Sequence, residues 1–198
     1  MTRQTLKALQ SERTKAALVS AGRGLFAQHG YAGVSAEEVA AAAGVTTGAV
    51  YHQFGSKRAL FLAVFEAVEA DLTARVAAVA TANPDPWAGF QAACTVFLAA
   101  AAEPEVQRIV LIDGRAVLGW DEWHAIMARY GLGLTRGALQ GLMQAGIVRS
   151  LPLDALTAAL FGALNEAALF VATAADPAAA GKEMGEALAG LLDALRNT

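Results

Sequence analysis

The sequence predicts an all-α fold, and three observations carry that expectation. The 198-residue chain is 56% hydrophobic with alanine dominant, and Ala and Leu are strong helix formers. Apolar residues recur every three or four positions through most of the chain, and no alternating strand pattern rises above that background. Glycine and proline fall at intervals that cut this periodicity into about nine helices.

Residues 11–28 read as an amphipathic helix on Leu18, Ala21, Leu25 and Phe26, closed by His29-Gly30. Ser35-Ala36-Glu37-Glu38 is a capping box. Ser35 is the N-cap, Glu38 stands at the third helical position, and Val34 and Val39 form a hydrophobic staple. A short helix over 36–43 follows. Gly44 ends it, Thr46 can cap the next at 47–53, and Val45 and Val50 repeat the staple spacing. Gly55 stops that helix and Ser56 can cap another. From Lys57 to Thr81 the apolar positions Leu60, Phe61, Val64, Phe65, Val68, Leu72 and Val76 form one face. At 1.5 Å per residue this helix is roughly 37 Å long.

Asn83-Pro84-Asp85-Pro86 is a loop. Further helices are expected at 86–102, 104–112, 120–145, 153–174 and 178–196, with Pro104, Pro152 and Pro177 at first turns. The division is a small domain over 1–58 and a larger helical one over 59–198.

Charge is unevenly placed. Residues 1–60 hold seven Lys/Arg against three acids, whereas the remainder holds eight against fifteen. A basic head on an acidic body fits a head that meets a polyanion. The start of the chain is polar, with Arg3 and Lys7, and lacks the apolar core of a secretory leader. The longest apolar run, near Ala92–Ala102, is closed by Glu103, so no membrane span is expected. The single cysteine, Cys94, cannot form an internal disulfide and fits a reducing cytoplasm.

Helix, glycine turn, short helix over 36–53 is the helix-turn-helix plan. Close packing of two short helices demands small facing side chains, supplied by Ala40, Ala43 and Ala49. At the start of the second helix Thr46, Thr47 and Gly48 let the backbone approach a groove, while Tyr51, His52 and Gln53 offer hydrogen-bonding groups. Lys57 opens the next helix, where a cation beside free N–H groups can hold a phosphate.

From Thr14 to Val68 the chain resembles the DNA-binding domain of the TetR family. The matching stretches are Leu25-Phe26-Ala27-Gln28-His29-Gly30-Tyr31, Val34 through Ala40, Ala43 through Phe54, and Gly55-Ser56-Lys57-Arg58-Ala59-Leu60. The resemblance implies DNA contacts from Ser35, Thr46, Thr47, Tyr51, His52 and Lys57. The family often has lysine where Thr47 stands and His or Tyr where Gln53 stands. Pro86-Trp87 and Leu111 through Trp120 also look like C-terminal domains of this family. By resemblance the chain is a repressor, a homodimer paired through its last two helices, that leaves a palindromic double-stranded operator when a small effector binds.

For the effector site, bulk points to Trp87, Phe90, Phe97, Trp120, Trp123, Met127 and Phe161, with Arg115, His124 and Asn165 as polar partners. The plainer alternative makes the tryptophans core and pairs Arg115 with Asp113. An enzyme finds little support. One Cys and three scattered His give no zinc pattern. A di-iron bundle needs two Glu-x-x-His pairs, and the chain offers only Asp121-Glu122-Trp123-His124. Gly131-Leu132-Gly133 follows no strand and fails the dinucleotide fingerprint. No cofactor and no metal are expected.

Overall fold

The computed structural model describes residues 3–197. Met1, Thr2 and Thr198, which the 1–58 and 59–198 division includes, lie outside the described residues. Ten α-helices and one π-helical segment make up the described chain. The helices are α1 (Arg3–His29), α2 (Ala36–Ala42), α3 (Thr47–Phe54), α4 (Lys57–Ala82) and α5 (Pro86–Ala100). The π-helical segment Val106–Gly114 runs directly into α6 (Arg115–Leu118). Then come α7 (Trp120–Arg129), α8 (Gly131–Gln144), α9 (Leu153–Thr173) and α10 (Pro177–Asp193).

Local chemistry explains the head. The Ser35 hydroxyl accepts from the Glu38 amide at 3.2 Å, and Glu38 Oε2 accepts from the Ser35 amide at 2.7 Å. These bonds hold the Glu38 carboxyl below its ordinary pKa. Gly44, at φ 68°, closes α2 in a Schellman turn. The Val45 amide donates to Ala40 and the Gly44 amide to Ala41, at 3.0 and 3.1 Å. Ser56 caps α4 through the Ala59 amide at 3.1 Å. Thr46 occupies the N-cap position of α3 but makes no side-chain cap bond.

One hydrophobic core joins α1–α4 to the body. Leu18, Phe26, Val39, Val50, Leu60, Phe61, Val64 and Phe65 are fully buried, and Val106, Ile109, Leu118, Ile126 and Met127 continue the same cluster. Phe26, Tyr31 and Phe61 meet with ring centroids 5.1–6.0 Å apart, two of the three pairs edge to face. The core therefore crosses the 58/59 line, because α4 packs on both sides of it. A second cluster, built on Trp87, Phe90, Cys94, Leu98, Leu139, Leu142, Leu160, Leu164, Leu188 and Leu192, fills the body.

Two expectations are corrected. The helix anticipated at 120–145 is two helices broken at Tyr130, whose φ and ψ are −112° and −108°. Gly131 and Gly133 follow at once and weaken helix continuation. A Cβ on Gly131 would stand 3.1 Å from the Phe161 ring, so the break is also a close approach of α8 to α9. The helix anticipated at 104–112 is instead the π-helical segment. Its wide turn stacks residues five apart, and Arg108 Nε pairs with Asp113 Oδ2 at 3.1 Å. Gly114 ends it where a Cβ would lie 2.4 Å from the Phe65 ring. Helix α9 is long and apolar enough, at mean hydropathy 1.6, to cross a bilayer. Here Leu160, Leu164, Ala167, Ala168 and Val171 are buried inside the protein, and Glu166 sits on its outer side.

Candidate nucleic-acid interface and effector cavity

The outward face of the α2–α3 unit carries the residues that sequence selects for DNA. Val50 is the buried anchor of α3. Thr46, Gly48 and His52 are exposed, Thr47 is half-buried, and Tyr51 is 50% exposed. A Cβ on Gly48 would find its nearest neighbour 3.8 Å away, on Thr46. Nothing inside the fold demands glycine there, and the space it leaves faces outward. With no cap bond to make, the Thr46 hydroxyl is available to an external partner. Ser35 uses its oxygen as an acceptor within the capping box, which leaves its O–H to donate.

Two members of the set have internal partners. Gln53 Nε2 donates to Ser11 Oγ at 3.0 Å, and that hydroxyl returns a bond to Gln53 Oε1 at 3.3 Å. The amide is thereby tied to α1. Lys57 Nζ donates to the carbonyls of Tyr31 and Val34, at 3.0 and 2.9 Å, and lies 4.1 Å from the Tyr31 ring centroid. Two of its three donors thus close the α1–α2 loop, and one remains.

Polar contacts link head to body. Arg58 donates from Nε and Nη2 to the carbonyls of Val117 and Leu118, at 3.1 and 2.6 Å, and pairs with Glu122 at 2.8 Å. Two carbonyls of α6 thus hold a cation. The Asp113 carboxylate accepts from the Tyr31 amide at 2.7 Å. Arg23 of α1 bridges Glu105 and Asp71 at 2.7 and 2.5 Å, which raises its already high pKa.

A cavity of about 270 Å³ lies between α4, α5, α8 and α9. Its walls are apolar: Leu72 and Val76 from α4, Phe90 and Phe97 from α5, Leu134 and Leu142 from α8, Phe161 and Leu164 from α9. Gly131, Gly137 and Gly141 thin the α8 wall. The polar members are Glu69, Thr73, Thr81, Thr135 and Cys94. Thr81 and Thr135 donate to carbonyls of their own helices. Burial pushes the Cys94 thiol up to about 11, so it stands as an inert protonated group.

Phe90, Phe97 and Phe161 of the expected effector set meet at this cavity. The other seven do not line it. Trp87 is core, 5.9 Å from the Phe90 ring, and Met127 is sealed in the other core. Trp120 is 54% exposed and stacks loosely with Trp123 and His124, while the Arg115 guanidinium sits 4.8 Å from the Trp120 ring. Asn165 donates to the Phe161 carbonyl on its own helix. Large side chains marked the region, but Trp120, Trp123, His124 and Met127 belong to α7, which packs against α6 and α8 and contributes no residue to the cavity lining. Sequence reasoning missed Glu69 and Thr73. Glu69 is four residues beyond Phe65 and three before Leu72, so an acid on the apolar stripe of α4 was the available signal.

Comparison with known proteins agrees with this architecture. The family model described as "Tetracyclin repressor-like, C-terminal domain" matches residues 87–195, and "Bacterial regulatory proteins, tetR family" matches 18–64. The crystal structure of a TetR-family transcriptional regulator from Pectobacterium atrosepticum superposes with a TM-score of 0.84 at 34% identity. The match covers 100% of this chain and 99% of that one. RolR in complex with resorcinol shares the fold at 23% identity and a TM-score of 0.72, over 93% of this chain and 89% of its own. The transposon Tn10 TetC protein of Escherichia coli is 26% identical over 153 residues, 75% of each chain. A helix-turn-helix head, a body of six further helices beyond α4, and family models that together span most of the sequence make this chain a member of the TetR family of bacterial transcriptional regulators.

Proposed function

We propose that this chain is a cytoplasmic repressor that binds a palindromic double-stranded operator as a homodimer and is released by a small molecule held in the α4–α5–α8–α9 cavity. The observation that carries this reading is the course of α4. Its first residues, Lys57 and Arg58, contact the α1–α2 loop and α6, and its second half, from Glu69 to Thr81, walls the cavity. One continuous helix thus touches both sites. A ligand that shifts α4 changes the spacing of two heads across a dimer, and the operator selects one spacing.

Ser35, Thr46, Thr47, Gly48, Tyr51, His52, Gln53 and Lys57 form the proposed DNA-contacting set. A single head this small buries too little surface for operator-grade affinity, so two must act together. The proposed dimer surface is the outer side of the last two helices. Leu160 and Leu192, on the apolar faces of these helices, are consumed in the core of the subunit. The outer side instead carries Ala155, Ala159, Gly162 and Phe170 on α9, with Ala187 and Leu191 on α10. Phe170 is 49% and Leu191 61% exposed, and the small residues beside them allow close helix packing.

Selection of binding sites from a random DNA library tests the proposal. The expected result is a two-fold symmetric consensus with half-sites about one helical turn apart. Recovery of a single asymmetric half-site would contradict it.

A further inference from the structure

Glu69 stands apart among the carboxylates described. It is 4% exposed and has no hydrogen-bond or ion-pair partner among the described residues, and it is one of the residues that line the cavity. Its neighbours on α4 are accounted for elsewhere: Glu66 pairs with Arg129, Asp71 with Arg23, and none of them lines the cavity. Among the described lining residues of α5, α8 and α9, the one other titratable group is the Cys94 thiol, and no Lys, Arg or His is present. A buried carboxyl without a partner costs free energy unless something supplies a donor.

We propose that the cavity takes a small amphipathic amine, with its apolar body against the α4, α5, α8 and α9 walls and its protonated nitrogen paired with the Glu69 carboxylate. The proposal rests on reading this cavity as the effector site. Three features select a cation over other ligands. An anion would meet a carboxylate and no compensating base. A neutral donor would bond the acid but leave its charge unmatched, and hydrogen bonds between ionised groups are roughly twice as strong as neutral ones. The mostly apolar walls give a local dielectric below that of water, which strengthens an ion pair once it forms. Burial also holds the Glu69 pKa up at about 7, so the acid is near half-ionised at neutral pH and an arriving cation draws out its proton. Binding should therefore strengthen from pH 6 to pH 8, a range in which a primary alkylamine stays charged.

Isothermal titration calorimetry of the wild-type protein with three probes of one shape tests this: 4-phenylbutylamine, 4-phenyl-1-butanol and 4-phenylbutyrate. At pH 8 the amine should bind about tenfold tighter than the alcohol, with the acid weakest. That advantage should shrink at pH 6 and vanish in Glu69→Gln, which should still bind the alcohol. Equal binding of amine and alcohol by the wild type, or an advantage unchanged by pH, would overturn the amine proposal and leave the effector cavity standing. If none of the three binds, the reading of the cavity falls and the amine proposal with it. The comparison among probes uses the wild type alone, so it decides the matter even if the variant does not fold.

Discussion

In the head, the helix ends find partners a few residues away: Ser35 with Glu38, Val45 with Ala40, Ser56 with Ala59. In the α4–α5–α8–α9 cavity the arrangement is reversed. The walls come from helices as far apart in sequence as Glu69 and Leu164, and the one carboxyl inside has no partner. The head is a small unit with locally fixed helix ends, whose proposed DNA-contacting groups Thr46, Gly48, Tyr51 and His52 are exposed. On the proposed reading, the cavity is a space whose one acid a ligand would match. The difference teaches that recognition of a repeating polymer needs shape fixed in advance, while recognition of a small molecule can keep an unsatisfied group as its selector.

The largest effect that would sharpen this comparison lies outside both sites. Charges at Phe170→Asp and Leu191→Asp should separate the dimer and weaken operator binding by about a hundredfold or more, since one head must then hold the site alone. Sedimentation should report a monomer, and circular dichroism an unchanged helical content. Operator affinity that survives a proven monomer would mean that the two heads do not cooperate.

The next effect is thermodynamic. The folded-state pKa of Glu69 is raised from 4.5 to about 7, so its stabilising share is fully present below pH 4.5 and is lost as pH rises through 7. At 1.36 kcal/mol per pKa unit the loss is about 3 kcal/mol between pH 4 and pH 8. Urea unfolding of wild type and Glu69→Gln across that range should show the two curves diverging by this amount, with the variant the more stable at pH 8. Parallel curves would mean that Glu69 is solvated or paired.

Effects within the head are smaller. If the Gln53 amide leaves Ser11 to reach a base edge, Gln53→Ala should change preference at one position per half-site by about 1–3 kcal/mol. A uniform loss across operator variants would assign Gln53 to packing α3 against α1. Lys57→Ala should flatten the slope of log affinity against log salt by about one unit if its remaining donor holds a phosphate. An unchanged slope with a lowered melting temperature would make Lys57 a clamp on the Tyr31 and Val34 carbonyls and nothing more.

The head was legible in the sequence because its determinants are local. Ser35 and Glu38, Gly44, and Ser56 each declare a helix end within four residues, and the structure forms those bonds. The body was less so, for identifiable reasons. The apolar period runs on through Tyr130, so only the paired glycines hinted at the break between α7 and α8. An i→i+5 hydrogen-bond pattern leaves no compositional trace, and 104–112 reads as an ordinary helix. The cavity depends on which helices face one another, a non-local fact. Aromatic bulk therefore picked out Phe90, Phe97 and Phe161 together with Trp120, which points to solvent, and Trp87, which is core. The periodicity of α9 and α10 located apolar faces without saying that Leu160 and Leu192 face inward. Glu69 sits on the apolar stripe of α4, but periodicity alone does not say which space an acid on that stripe faces.

The central claim is that the cavity and the operator are coupled through α4, and linkage makes that claim measurable. Operator affinity is measured by fluorescence anisotropy, on the palindrome recovered by selection, with and without saturating 4-phenylbutylamine. Affinity for the amine is measured by calorimetry, with and without saturating operator. The account predicts that each lowers the other's affinity by the same factor, about 5- to 150-fold for a typical coupling free energy. An amine that occupies the cavity, loses its grip in Glu69→Gln, and leaves operator affinity untouched would contradict it.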